Sequence, residues 1–395
     1  MGSGTDQDAQ TGEPTAQGFD AFEEARRVTQ LCNVCGYCSG LCEVFRAGPR
    51  RPRLADGDLE HLAHLCHNCR ACWYACQYAP PHEFAINVPA TYARVRAESY
   101  ARHAWPRPLA ALARRSATVT TAAALGFAVL LPLLVLLLVP PEQVFAAHRG
   151  PGAFYEVIPW SVMSSVAGAS FGFALLALGI GAWRFRRAAG DPPPQPPRRS
   201  RLAWTEAVRD ALTLRNLDGG GPGCHDTDER FGRTRRWAHH ALFYGFLLCF
   251  AATVSASIHH HVLGVPAPYP LLSAPSLLGT TGGLGMVLGA GVLLGLQARR
   301  DPRPDAPETL PADQALLVLL LAVAGTGLVL QAFRETPGMG LLLAFHLGTV
   351  LALFLIAPYS KMAHGAYRLT ALALAAADRR SAGRPSLKGP RWNRS

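Results

Sequence analysis

The sequence predicts a mainly α protein in two parts: a small cysteine-rich helical domain, then a bundle of six membrane-crossing helices. Three observations carry that reading. Eight of the ten cysteines fall within residues 32–76, in two runs of identical spacing. Charged residues are only 16% of the 395, against the usual quarter, and the shortfall lies in the later part of the chain. The uncharged runs there reach the roughly twenty residues that a hydrocarbon layer requires.

Residues 1–20 are polar and acidic and read as a disordered tail, with none of the basic start and apolar core of a signal peptide. The domain at 21–100 begins with a short helix that runs into "LCNVCGYCSGLCEVF". The stretch "LCHNCRACWYACQYAPP" repeats its pattern. Both are C-x2-C-x2-C-x3-C, first at Cys32, Cys35, Cys38 and Cys42, then at Cys66, Cys69, Cys72 and Cys76. A cubane iron–sulfur cluster needs four thiolates at tetrahedral corners. Two-residue gaps let one tight loop supply three of them. The fourth, on a departing helix, reaches the neighbouring cluster, as in the bacterial two-cluster ferredoxins. The spacing thus predicts a ferredoxin-like domain with two [4Fe–4S] clusters. One is expected on Cys32, Cys35, Cys38 and Cys76, the other on Cys66, Cys69, Cys72 and Cys42. Structural zinc is the competing use, but zinc ribbons employ two C-x2-C pairs set well apart. Ferredoxin motifs also place proline directly after the fourth cysteine; Glu43 and Gln77 stand there instead, which leaves the loop geometry open. A domain on the reducing, cytosolic side argues against eight cysteines as a disulfide framework.

The membrane part is expected at 116–365, with helices at 116–141, 157–183, 238–263, 276–297, 314–333 and 339–364. The third and fourth are divided by "GVPAPYPLLSAP". Between the second and third lies a loop, 184–236, containing the stiff linker "GDPPPQPPRRS". Residues 366–395 read as a basic tail. The net charge is +11, and apart from Lys361 and Lys388 every positive residue is arginine. These arginines crowd the 184–236 loop and the C-terminal tail and are sparse in the alternate links. That pattern predicts both termini and the cysteine domain on the cytoplasmic side of a bacterial inner membrane. The charge then belongs to membrane loops facing a lipid bilayer, and no nucleic-acid partner is implied. Gly285, Gly289, Gly291 and Gly295 recur at a spacing that suits a helix contact face.

Histidines mark the bundle. The third helix carries His239 and His240 at its start and His259, His260 and His261 at its end. The sixth carries His346 and His364, eighteen residues or five turns apart, about 27 Å along one face, with Pro358 between them as a source of a kink. Antiparallel helices set these residues at two matching depths, as one or two bis-histidine b-type haems require. Helical phase selects His239 and His260 on the third helix, and depth sets the first level against His364 and the second against His346, leaving His240 and His261 as alternatives. Interfacial histidines without a ligand are the competing reading. Cys224 reads as a free thiol in a glycine turn and Cys249 as helix packing.

From about Thr29 to Gly365 the chain resembles the tricarballylate-utilisation (TcuB) iron–sulfur membrane proteins, also called citrate-utilisation protein B. "LCNVCGYCSGLCEVF", "LCHNCRACWYACQYAPPHEFAINVP" and "RRWAHHALFYGFLLCFAATVSA" carry the resemblance. The histidine placement is also similar to that of the haem-binding gamma subunits of respiratory nitrate reductase. The resemblance implies an electron-transfer subunit. It would take electrons from a partner FAD-dependent dehydrogenase acting on tricarballylate and pass them to a membrane quinone. The residues themselves show no flavin or nicotinamide fingerprint and no acid–base pair, so any substrate-oxidising site is expected on the partner.

Overall fold

The computed structural model describes residues 20–190, 197–219 and 223–381. The tail expected at 1–20 lies outside these apart from Asp20, as do residues 191–196 of the proline-rich linker and residues 382–395. The chain is helical almost throughout. Its one described strand pairing is the two-residue ladder Cys224–His225 with Phe231–Gly232.

Three helices build the N-terminal domain. Helix α1 is Ala21–Cys35, capped by Asp20, whose carboxylate accepts the Phe22 N–H, and ended by Gly36 at φ 66°. Helix α2 is Asp56–Leu65, and α3 is Val88–His103, opened by Asn87 with Pro89 in the first turn. Their inward faces meet at Phe22, Val28, Leu59, Leu62, Tyr92 and Val95. Each fully buried side chain of this size stabilises by about 1.5–3 kcal/mol.

Among the described residues, six helices are long and apolar enough to cross a membrane. They are α4 Ser116–Leu138, α5 Trp160–Ala188, α7 Thr234–His261, α8 Ala274–Arg299, α9 Leu310–Phe333 and α10 Met339–Ile356. Helix α6, Pro197–Leu212, lies in the link between the second and third. Helix α4 leaves Leu133, Leu134, Leu136, Leu137 and Leu138 uncovered, as suits a lipid-facing surface. Close helix contacts use glycine. A Cβ on Gly282 would lie 2.7 Å from the Gly245 carbonyl, and one on Gly289 would lie 2.6 Å from the Ala238 carbonyl. The contact face of α8 is therefore Gly282, Gly285 and Gly289. The expected Gly291 and Gly295 face open space instead.

Two expectations are corrected. The sixth span does not run unbroken to His364. Pro358 has no N–H to donate, and α10 stops at Ile356. Two short 3-10 turns follow, Ala357–Tyr359 and Lys361–Ala363, separated by extended Ser360. His346 and His364 are thus on different helices, and the five-turn phase relation between them does not hold. The residues after 364 also do more than trail. His364–Ser381 forms helix α11, whose Tyr367, Ala371 and Leu374 enter the same core as Phe22 and Leu59. Phe185, at the end of α5, joins them. Helix α11 also packs along α6, where Glu206 takes Arg379 at 2.7 Å and Arg380 at 2.6 Å. The N-terminal domain is therefore closed from behind by the C-terminal helix and the end of a membrane helix.

Candidate metal centres and a histidine pair

Helix α1 delivers Cys32 and Cys35 from its last turn, and the turn that Gly36 opens carries Cys38. Cys42 then begins the short helix Glu43–Ala47, with the Val44 and Phe45 N–H groups directed at its sulfur. Glu43, which replaces the usual proline, has a different use: its carboxylate pairs with Arg379 of α11. The second run begins where α2 ends. Cys66 caps that helix, and Asn68 and Arg70 take left-handed conformations, φ 53° and 64°. These fold the chain so that Cys69 and Cys72 turn to one side and Cys76 to the other.

The eight sulfurs surround two cavities. One, of about 190 Å³, is lined by Cys32, Cys35, Cys38 and Cys76. The other, tighter at about 20 Å³, is lined by Cys42, Cys66, Cys69 and Cys72. Each run thus gives three cysteines to one cavity and its fourth to the other. Among the described residues no group of three ligand-type side chains stands as a single-ion site. Each set of four cysteines lines one cavity, and three thiols of one C-x2-C-x2-C-x3-C run with the fourth of the other are the donor set of a cluster of several irons.

Burial, and then the neighbouring cysteines, push the Cys32 thiol up to about 12 and Cys38 to about 11. Cys42 and Cys72 are raised in the same way. Thiols so placed ionise together only around a cationic core. The cavities also differ in exposure: Cys35 is exposed, with Val34 and Tyr37 uncovered beside it, whereas Cys66 is buried.

Of the seven histidines considered in the bundle, the structure brings one pair from two different helices together, edge to face. The His239 and His364 ring centres are 6.2 Å apart at 83°. These are the two residues that would hold an iron, through one imidazole nitrogen each, and such a centre would supply a one-electron carrier. His364 Nδ1 is 2.6 Å from the Lys361 carbonyl, which leaves Nε2 without the proton. Burial, followed by Arg368 and His239, holds the His364 ring down to about 3, so it is neutral. His239 Nδ1 is buried without a hydrogen-bond partner. His240 turns instead to the Thr213 carbonyl at 3.2 Å.

The outer pairing is not assembled. His346 lies on Thr326, Nδ1 to Oγ1 3.0 Å, over Gly327. His260 stacks on Trp160 at 4.9 Å, and His261 meets the same ring edge-on. His259 bonds the Ser255 carbonyl at 2.8 Å. Cys224 is buried and donates to the Leu217 carbonyl, and Cys249 packs against Gly282.

Sequence reasoning passed over two residues beside the histidine pair. Arg235 stands one turn before His239, and Arg368 one turn after His364. The i, i+4 spacing in "RRWAHH" and "HGAYR" was the available signal.

Two family models match the chain. Residues 111–385 match Citrate utilization protein B, and residues 25–102 match the Citrate utilization protein B Fer4-like domain. The chain belongs to the citrate utilization protein B family. Citrate utilization protein B of Escherichia coli is 44% identical over 364 residues, covering 90% of this chain and 92% of that protein. No solved structure matches. A Fer4-like domain joined to six apolar helices makes this an iron–sulfur membrane protein.

Proposed function

We propose that the chain is the membrane electron-transfer subunit of a dehydrogenase system. A partner flavoprotein oxidises the substrate, tricarballylate by resemblance, and this subunit conveys the electrons to the quinone pool. The crossed arrangement of cysteines around two neighbouring cavities carries the reading. Cys32, Cys35, Cys38 and Cys76 would hold one [4Fe–4S] cluster, and Cys42, Cys66, Cys69 and Cys72 the other. His239 and His364 would hold a b-type haem. These groups supply one-electron carriers within a short span.

The chain's own residues set the order. The roomier cavity opens beside exposed Cys35, Val34 and Tyr37, where a partner can approach, on the cytoplasmic side by the arginine pattern. The tighter cavity lies inward, with the Cys66–Asn68 backbone held by arginines from the two helices that carry the histidine pair. His346 has Thr326 rather than a second histidine, which favours one haem over two.

The test is crossed removal of ligands. Wild-type protein purified anaerobically should hold about eight irons. Cys76→Ser should remove the centre otherwise made by the first cysteine run, and Cys42→Ser the centre of the second run. The two losses should have different paramagnetic signatures. Iron near zero with stoichiometric zinc in the wild type would refute the reading.

A further inference from the structure

The second cysteine loop and the histidine pair are joined by two arginines in matching positions. Arg235 Nη1 donates to the Asn68 carbonyl at 2.6 Å, and its Nη2 to the His67 carbonyl at 3.1 Å. Arg368 Nη2 donates to the carbonyl of Cys66 itself at 2.9 Å. One helical turn separates Arg235 from His239 on α7, and one turn separates His364 from Arg368 on α11. Each helix therefore presents its histidine to the other and its arginine to the loop that carries Cys66 and Cys69. A third guanidinium, Arg96, is 3% exposed and donates to the Cys66 carbonyl at 3.2 Å.

Three cations converge here on carbonyl oxygens. Among the described residues none of the three guanidinium groups has a carboxylate partner. The Nε atoms of Arg96 and Arg368 are buried without a bond. Nearby, carboxylates are used where cations need them: Arg70 and Arg300 share Asp305, and Lys361 holds Asp313 at 2.7 Å. Arg96 is buried and Arg235 and Arg368 are half-buried, and charge so enclosed is costly unless something anionic adjoins it. Four thiolates around an iron–sulfur core supply that negative charge.

We propose that Arg235 and Arg368 are positioning residues that raise the reduction potential of the centre held by Cys42, Cys66, Cys69 and Cys72, and so make it the exit centre toward His239 and His364. This rests on the cysteine assignment above. When the first centre passes one electron inward it is oxidised by one. The second centre is reduced by one and gains one negative charge. Two guanidinium groups on the Cys66–Asn68 carbonyls favour that more negative state, because potential follows local charge and hydrogen bonding. Among the described residues no guanidinium donates to the backbone of Cys32, Cys35, Cys38 or Cys76 in the first cavity.

The experiment is a redox titration of purified full-length protein, followed by paramagnetic resonance so that the two centres are read separately. Arg368→Gln and Arg235→Gln should each lower the potential of one centre only. The expected size is about tenfold in the one-electron equilibrium, or about 59 mV. The affected centre should be the one lost in Cys42→Ser. Arg368→Lys keeps the charge and should stay within about threefold of wild type. Unchanged potentials, or an equal shift of both centres, would overturn the proposal. If the glutamine variants lose the second centre while Arg368→Lys keeps it, charge is required there and the proposal stands. If Arg368→Lys loses it as well, the arginine acts through bond geometry and the proposal fails. Absence of both centres from the wild type would instead refute the cysteine assignment.

Discussion

Arg70 grips both carboxylate oxygens of Asp305, at 2.7 and 2.8 Å, with the two side chains only 3% and 2% exposed. Arg70 stands between Cys69 and Cys72, and Asp305 lies in the link between α8 and α9. The pair therefore ties the second cysteine loop to the membrane bundle. Arg300 adds a further bond to Asp305 at 2.8 Å. Breaking a buried pair from one side leaves an uncompensated charge, at a cost of about 3–5 kcal/mol. Asp305→Ala should lower the thermal midpoint of the detergent-solubilised protein and release about half the iron. Asp378→Ala is the comparison. It removes a more exposed partner of Arg51, which also bonds Asp58 and the Ala189 carbonyl, and should have a smaller effect. Equal stability of Asp305→Ala and wild type would show that the pair contributes no net stabilisation.

The proposed partner gives a second test. Val34 is 88% exposed and Tyr37 74%, both beside Cys35. Aromatic side chains at the centre of an interface commonly carry 2 kcal/mol or more of binding, at least about tenfold in affinity. Membranes with this chain alone should show no substrate-dependent quinone reduction, and the flavoprotein should restore it. With Tyr37→Asp, restoration should need about tenfold more flavoprotein, while iron content stays constant. Substrate oxidation by the lone purified chain would refute the division of labour.

Three cysteines of each group are local, set by two turns with identical gaps; the fourth comes from the other run, and only the repeated spacing suggested that crossing. The six spans were legible because a hydrocarbon layer excludes charge over a fixed length. Helix α11 was not. Its buried face is largely alanine, Ala371 to Ala377, set between arginines, so hydropathy does not separate it from a basic tail. Its partners, Phe22 and Leu59, are hundreds of residues away. Arg235 and Arg368 were counted as loop charge that orients the chain, and nothing in one sequence shows that their side chains turn inward to the Cys66–Asn68 carbonyls. The outer histidines illustrate the converse. Matching depth is a weak constraint, and Trp160 and Thr326, which sit against His260 and His346, are distant in sequence from the rings they meet.

The histidine pair supplies the last prediction. His239 and His364 meet edge to face, ring centres 6.2 Å apart, whereas His346 sits over Gly327 on a threonine. His364 is fixed by the Lys361 carbonyl, so its free nitrogen has one direction in which to bind. Two neutral imidazoles on one iron give a low-spin b-type haem with sharp bands in the reduced spectrum. His364→Ala should abolish those bands and leave iron–sulfur content intact, because the ring lies on the bundle side of the arginines. His239→Ala should do the same. His346→Ala should leave the spectrum unchanged, and so should His240→Ala, whose ring faces the Thr213 carbonyl. A spectrum unaltered by His364→Ala would remove haem from the pair. A reduced wild type without bands would make the six helices a quinone-binding anchor, with electrons leaving directly from the second cysteine site. Loss of half the absorbance in His346→Ala would restore an outer haem and require His346 to turn away from Thr326.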